Sequence, residues 1–192
     1  MKTLLWLLAA VVLPATLAAD TDPKTRPPAP TVAPEGTVAA PMGRTRISSH
    51  AEVGEAAPGF ELISAGDARV KLSDYRGGRV LLAFADRREA CGQLGALAES
   101  LRADGVRLVG ICRASPRSLR AIVERDSLRF DLLSDITGEI AALYGSYDFA
   151  TSTIRPGYIL VGRQGTVRMV VLGQALPPDE LLQITRYVLA GL

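Results

Sequence analysis

Two sulfurs are the natural starting point for any covalent chemistry in this chain. Cys91 and Cys112 are its two cysteines, and both lie in the stretch RVLLAFADRREACGQLGALAESLRADGVRLVGIC at residues 79–112, which Cys112 ends. An ionised thiol is a strong nucleophile at neutral pH. A pair of them admits three arrangements: a structural disulfide, a catalytic pair, or one reactive thiol beside one buried one. The single His50 has neither a neighbouring cysteine nor a second histidine, so no metal site is expected. No cofactor is expected either.

The elements around the sulfurs place them. Val80 to Phe84 is a short apolar run with strand character. After a polar link and Cys91, Leu94, Leu97, Ala98 and Leu101 recur at helical spacing, and Val106 to Cys112 is a second apolar run. Strand, helix and strand in this order predict a right-handed parallel unit, whose functional edge lies where strands end and helices begin. Cys91 falls at that edge, at the predicted start of a helix, where the positive end of the peptide dipoles favours thiolate. Arg87 and Arg88 push the same way and Glu89 opposes them. Cys112 ends a parallel neighbour strand, so it can approach Cys91; a disulfide requires Cα atoms within about 7 Å.

The remaining elements follow from punctuation and period. Leu62-Ile63 and Val70 to Leu72 flank a turn at Gly66-Asp67, which predicts a hairpin. Gly105 suits a left-handed helix cap. Ser115-Pro116 opens a helix whose apolar face is Leu119, Ile122 and Val123. Phe130 to Leu133 is a short strand, and 135–144 is expected to be helical, closed by Gly145. Tyr158 to Val161 and Thr166 to Leu172 pair around Gly162 to Gly165. A final helix opens at Pro177-Pro178, with Leu181, Leu182, Ile184, Tyr187, Val188 and Leu189 expected to face inward. The order predicts an α/β sandwich with a mixed central sheet.

Ahead of this domain, residues 1–19 read as a secretory signal: Lys2, an apolar run from Leu4 to Leu13, then small residues around Ala18 and Ala19. Left uncleaved, the same segment would tether the chain to a membrane. Residues 20–49 hold Pro23, Pro27, Pro28, Pro30, Pro34 and Pro41 with no periodic apolar face, which is a disordered, extended linker. Residues 50–192 suffice for one domain. The balance of 22 basic and 20 acidic residues gives a net charge of +2, and with no basic stripe nucleic acid is excluded as an expected partner.

Five segments occur in a recognisable order: VGEAAPGFEL (Val53–Leu62), LSDYRGGRVLLAF (Leu72–Phe84), VRLVGICRASPRSL (Val106–Leu119), FDLLSDITGEIAALYG (Phe130–Gly145) and RPGYILVGRQGTV (Arg155–Val167). On these the chain resembles the peroxiredoxin-like branch of the thioredoxin superfamily, the alkyl hydroperoxide reductase/thiol-specific antioxidant family. The resemblance implies a thioredoxin-like α/β/α sandwich and a peroxidatic role for Cys91. It implies Arg155 as the arginine that stabilises the thiolate, and a hydroperoxide substrate with an external thiol reductant; a sulfenic acid at Cys91 would be resolved by Cys112, from its place on the neighbouring strand end, or by an external thiol. The family's loop is Pro-x-x-x-Thr/Ser-x-x-Cys. Here Arg88 stands where the hydroxyl belongs, as an electrostatic substitute for it, and the proline is absent. Pro156 is equally placed to be the cis-proline that faces the active cysteine in thioredoxin folds.

Three functions therefore compete. One is an exported, periplasmic or extracellular, thiol-dependent peroxidase working through Cys91. A second is an extracytoplasmic thiol–disulfide exchange protein, acting on disulfide substrates. The third is a non-catalytic thioredoxin-fold binding module, favoured by the altered loop.

Overall fold

Val80 to Ala85 is buried at every position, which requires a strand covered on both faces. The computed structural model describes residues 50–191 and provides that cover. The expected signal segment, the linker and Leu192 lie outside the described residues. Strands β1 (Glu61–Ser64) and β2 (Arg69–Lys71) form the first hairpin, and a 3₁₀ turn leads into β3 (Arg79–Ala85). Helices α1 (Arg88–Gln93) and α2 (Gly95–Ala103) cross to β4 (Val106–Cys112), and α3 (Pro116–Asp126) crosses to β5 (Asp131–Ser134). Then come α4 (Glu139–Leu143), a hairpin of β6 (Tyr147–Asp148) and β7 (Thr153–Ile154), the pair β8 (Gly157–Val161) and β9 (Val167–Leu172), and α5 (Pro178–Ala190). Among the described residues no helix is long and apolar enough to cross a membrane.

The main sheet has the order β2-β1-β5-β4-β3-β8-β9. Strands β3, β4 and β5 run parallel; β8 and β1 flank them antiparallel. The sheet is mixed, with helices on both faces: the expected thioredoxin-like α/β/α sandwich. Because alternate side chains point to opposite faces, β3 divides its residues between two cores. Val80, Leu82 and Phe84 pack with Tyr144 and Ile159 on the α4 side. Leu81 and Ala83 pack with Leu97, Leu101 and Leu181 on the α2 and α5 side.

Two tyrosines are anchored in the first core. Tyr75 donates to Asp131 at 2.7 Å, and Tyr144 donates to the Pro58 carbonyl at 2.5 Å. Burial pushes both hydroxyls well above the usual phenol range, and for Tyr75 the Asp131 carboxylate adds to it. The fold thus favours the protonated form. Its contribution is fully present below about pH 10 and is lost as pH rises further. An alkaline titration read by phenolate absorbance is expected to leave both un-ionised while the domain is folded, and to release them together on unfolding. Their ionisation in step with an exposed phenol, before unfolding, would contradict the arrangement.

The structure corrects three expectations. The helix expected over 135–144 is confined to Glu139–Leu143. Gly138 breaks it with φ +76°, and a Cβ there would lie 2.4 Å from the Tyr147 ring. The single helix expected after Cys91 is two, interrupted at Leu94. Tyr187 points outward, 82% exposed, because α5 covers the sheet with one face only. Gly105, by contrast, has the left-handed φ expected of a cap, +72°, and Ser115 caps α3 by accepting from Ser118.

Candidate active site

In the register of the parallel strands Ala85, Cys112 and Ser134 are neighbours. They mark the carboxyl edge of the sheet. The chain leaves β3 through Asp86 and Arg87 and enters α1 at Arg88, so Cys91 is the fourth helical residue. This corrects the expected placement at the helix start. The Cys91 N–H is already bonded to the Arg87 carbonyl at 3.3 Å, and α1 has six residues. No free amide of Cys91 is left to hold an anion.

Cys91 and Cys112 are joined by a disulfide, with Cα atoms 6.7 Å apart. Of the arrangements open to the pair, this is the bonded one. Both cysteines are 0% exposed, packed with Ala85, Leu119, Ile122 and Leu132 between α1, α3 and the sheet. Two glycines make this approach possible. A Cβ on Gly92 would stand 2.7 Å from Asp126 Oδ2, and one on Gly95 would stand 2.8 Å from Leu128 Cδ2. The Cys91 sulfur lies 3.4 Å from the Arg87 carbonyl oxygen. A carbonyl stabilises S–H and repels S⁻, so ionised Cys91 is expected to leave this position.

Among the described residues Arg155, the arginine expected beside the thiolate, has its ion-pair contact with Asp148. Arg155 is exposed; its Nε lies 4.0 Å from Asp148 and its N–H donates to the Ser146 carbonyl. Arg88 opens α1, and its side chain lies outside the described residues. Pro156 lines a cavity beside α1. The structure also holds a cluster that sequence reasoning missed. Asp86 Oδ1 accepts from the Ile154 N–H at 3.0 Å and lies 3.7 Å from Arg113, whose guanidinium also donates to the Ser152 carbonyl. This cluster ties the β6–β7 hairpin to the loop before Cys91 and to the residue after Cys112. Its signal was adjacency: Asp86 and Arg113 each directly follow a core strand. Among the described residues no group of metal-ligating side chains occurs.

The sequence model of the AhpC/TSA family matches residues 53–170. The chain belongs to this family. Curated proteins similar to it include a putative peroxiredoxin bcp of Haemophilus influenzae, 34% identical over 100 residues, and the peroxiredoxin Bcp of Escherichia coli, 32% identical over 101 residues. These alignments cover 48% and 49% of this AhpC/TSA-family chain and 64% of each relative, so under two thirds of either relative is spanned. Solved structures agree on the fold. The peroxidoxin BcpB of Mycobacterium tuberculosis superposes with a TM-score of 0.64 at 21% identity, covering 74% of this chain and 99% of that one. A reduced 2-Cys peroxiredoxin of Plasmodium vivax gives 0.62 at 23%, covering 72% and 97%.

Proposed function

We propose that this chain is an exported thiol-dependent peroxidase that cycles between a Cys91–Cys112 dithiol and the observed disulfide. The observation that carries the reading is that bond, made between the two cysteines at the carboxyl edge of an AhpC/TSA-family sheet. In the reduced state the Cys91 thiolate attacks the terminal oxygen of a hydroperoxide. An S–O bond forms, the O–O bond breaks, and the departing alkoxide takes a proton to leave as alcohol, or as water from hydrogen peroxide. The Cys112 thiolate then attacks the sulfenic sulfur; the S–S bond forms and hydroxide leaves as water. An external thiol reductant returns two electrons and two protons. Because both sulfurs are sealed in the disulfide state, α1 is the element that moves to admit the reductant. Residues 1–19 support export to the periplasm or beyond, a space in which disulfides persist.

The test is stoichiometric. Reduced protein is expected to consume one equivalent of hydrogen peroxide or cumene hydroperoxide as two thiols disappear. Cys91→Ser consumes none, and Cys112→Ser stops at a sulfenic acid that dimedone traps. The burial of both sulfurs favours one competing reading, a non-catalytic module stapled by a structural disulfide. Reduced wild type that leaves both peroxides untouched establishes it in place of the peroxidase.

A further inference from the structure

Beside α1, lined by Ala90 and Gln93 of that helix, lies a cavity of about 340 Å³. Neither cysteine and not Arg155 is among its walls, though Arg87 and Ala90 are, and the Arg87 carbonyl lies 3.4 Å from the Cys91 sulfur. We propose that this cavity binds an amphipathic carboxylate, its apolar chain among Leu94, Leu97 and Leu176 and its head group at Arg87. The size is at the lower end for small-molecule sites, which are apolar with a few convergent polar groups. That is the composition here. Phe84, Ile154 and the three leucines supply the apolar wall, and Asp86, Arg87, Gln93 and Tyr158 the polar one.

The charges select the ligand. Asp86 is engaged by Arg113 and the Ile154 amide. Arg87 is exposed at the cavity wall, and its guanidinium has no ion pair among the described residues. Gln93 and the Tyr158 hydroxyl likewise have no hydrogen-bond partner among the described residues. The groups left to meet a ligand are one permanent cation and neutral donors. One guanidinium fork matches one carboxylate, bidentate and charge for charge, whereas a phosphate monoester would keep an unneutralised charge. The apolar chain binds by leaving water.

The test uses the oxidised full chain and no turnover, so its result is independent of whether peroxide is consumed. Calorimetric titration with decanoate is expected to show saturable binding at one site. Decanol is expected to bind about tenfold more weakly, as is decanoate to Arg87→Gln, the scale of one lost charge-assisted hydrogen-bond pair. Ala175→Phe, at an exposed wall position, is expected to weaken decanoate and decanol alike. Absence of saturable decanoate binding overturns the proposal. So do equal affinities for decanoate and decanol, an unchanged affinity in Arg87→Gln, or an unchanged affinity in Ala175→Phe.

Discussion

Reducing the Cys91–Cys112 disulfide is expected to lower the stability of the folded domain by about 3 kcal/mol. The bond spans a sequence separation of 21 residues. Closing a loop of that size removes this much entropy from the unfolded chain, which is the main way a disulfide stabilises. The folded state loses little in exchange. Two buried thiols behave as small apolar side chains, and the Cys91 thiol can donate to the Arg87 carbonyl that lies 3.4 Å from its sulfur. Urea denaturation with and without a reductant measures the difference. The midpoint should fall and the slope should rise, since the reduced unfolded chain exposes more surface. In a thermal scan the same loss corresponds to a shift on the order of 10 °C. Coincident urea transitions in the two redox states would show that the bond does not constrain the chain. A Cys91→Ala, Cys112→Ala double variant separates the cross-link from thiol chemistry: it should match the reduced protein to within the small cost of two lost sulfurs.

The same disulfide shows how far the sequence could be read. Apolar runs identified β3 and β4, and the rule that parallel strands end on a common edge put Cys112 within reach of Cys91. Both signals are local or follow from topology. The start of α1 is neither. Arg88, Glu89 and Ala90 carry no apolar period, so nothing in the sequence marked them as helical. What holds them is packing against α3, permitted by the glycines at 92 and 95. The β6–β7 hairpin was illegible for a related reason. Its strands have two residues each, and its anchors, Asp86 and Arg113, lie some 40 to 70 positions away in the chain. Phe149 at its tip is 78% exposed and meets the Tyr147 ring at 5.0 Å, so no buried periodicity announced it. Arg155 was legible as a strand-end cation, but the sequence could not show that its neighbour would be Asp148.

Phe84→Ala, made with the disulfide intact, is expected to cost 3 to 5 kcal/mol, the usual range for removing a buried phenylalanine (roughly). Phe84 is the next-to-last residue of β3, and its ring meets that of Tyr144 at 5.4 Å. Tyr144 is itself held by its bond to the Pro58 carbonyl and by Phe60 at 6.4 Å. The truncation therefore removes apolar burial, leaves a void the strand cannot close, and deprives Tyr144 of an aromatic partner. The void cannot collapse, because Phe84 is pinned on both sides: Ile111 of β4 and Gly157 of β8 are its register partners. Phe84→Leu, which refills much of the space, should recover about half of the loss. Phe84 is also one of the residues lining the proposed carboxylate cavity. Decanoate should thus stabilise Phe84→Ala, shifting its urea midpoint upward as ligand is added. A loss under about 1 kcal/mol would mean that this end of β3 is less firmly packed than its burial implies.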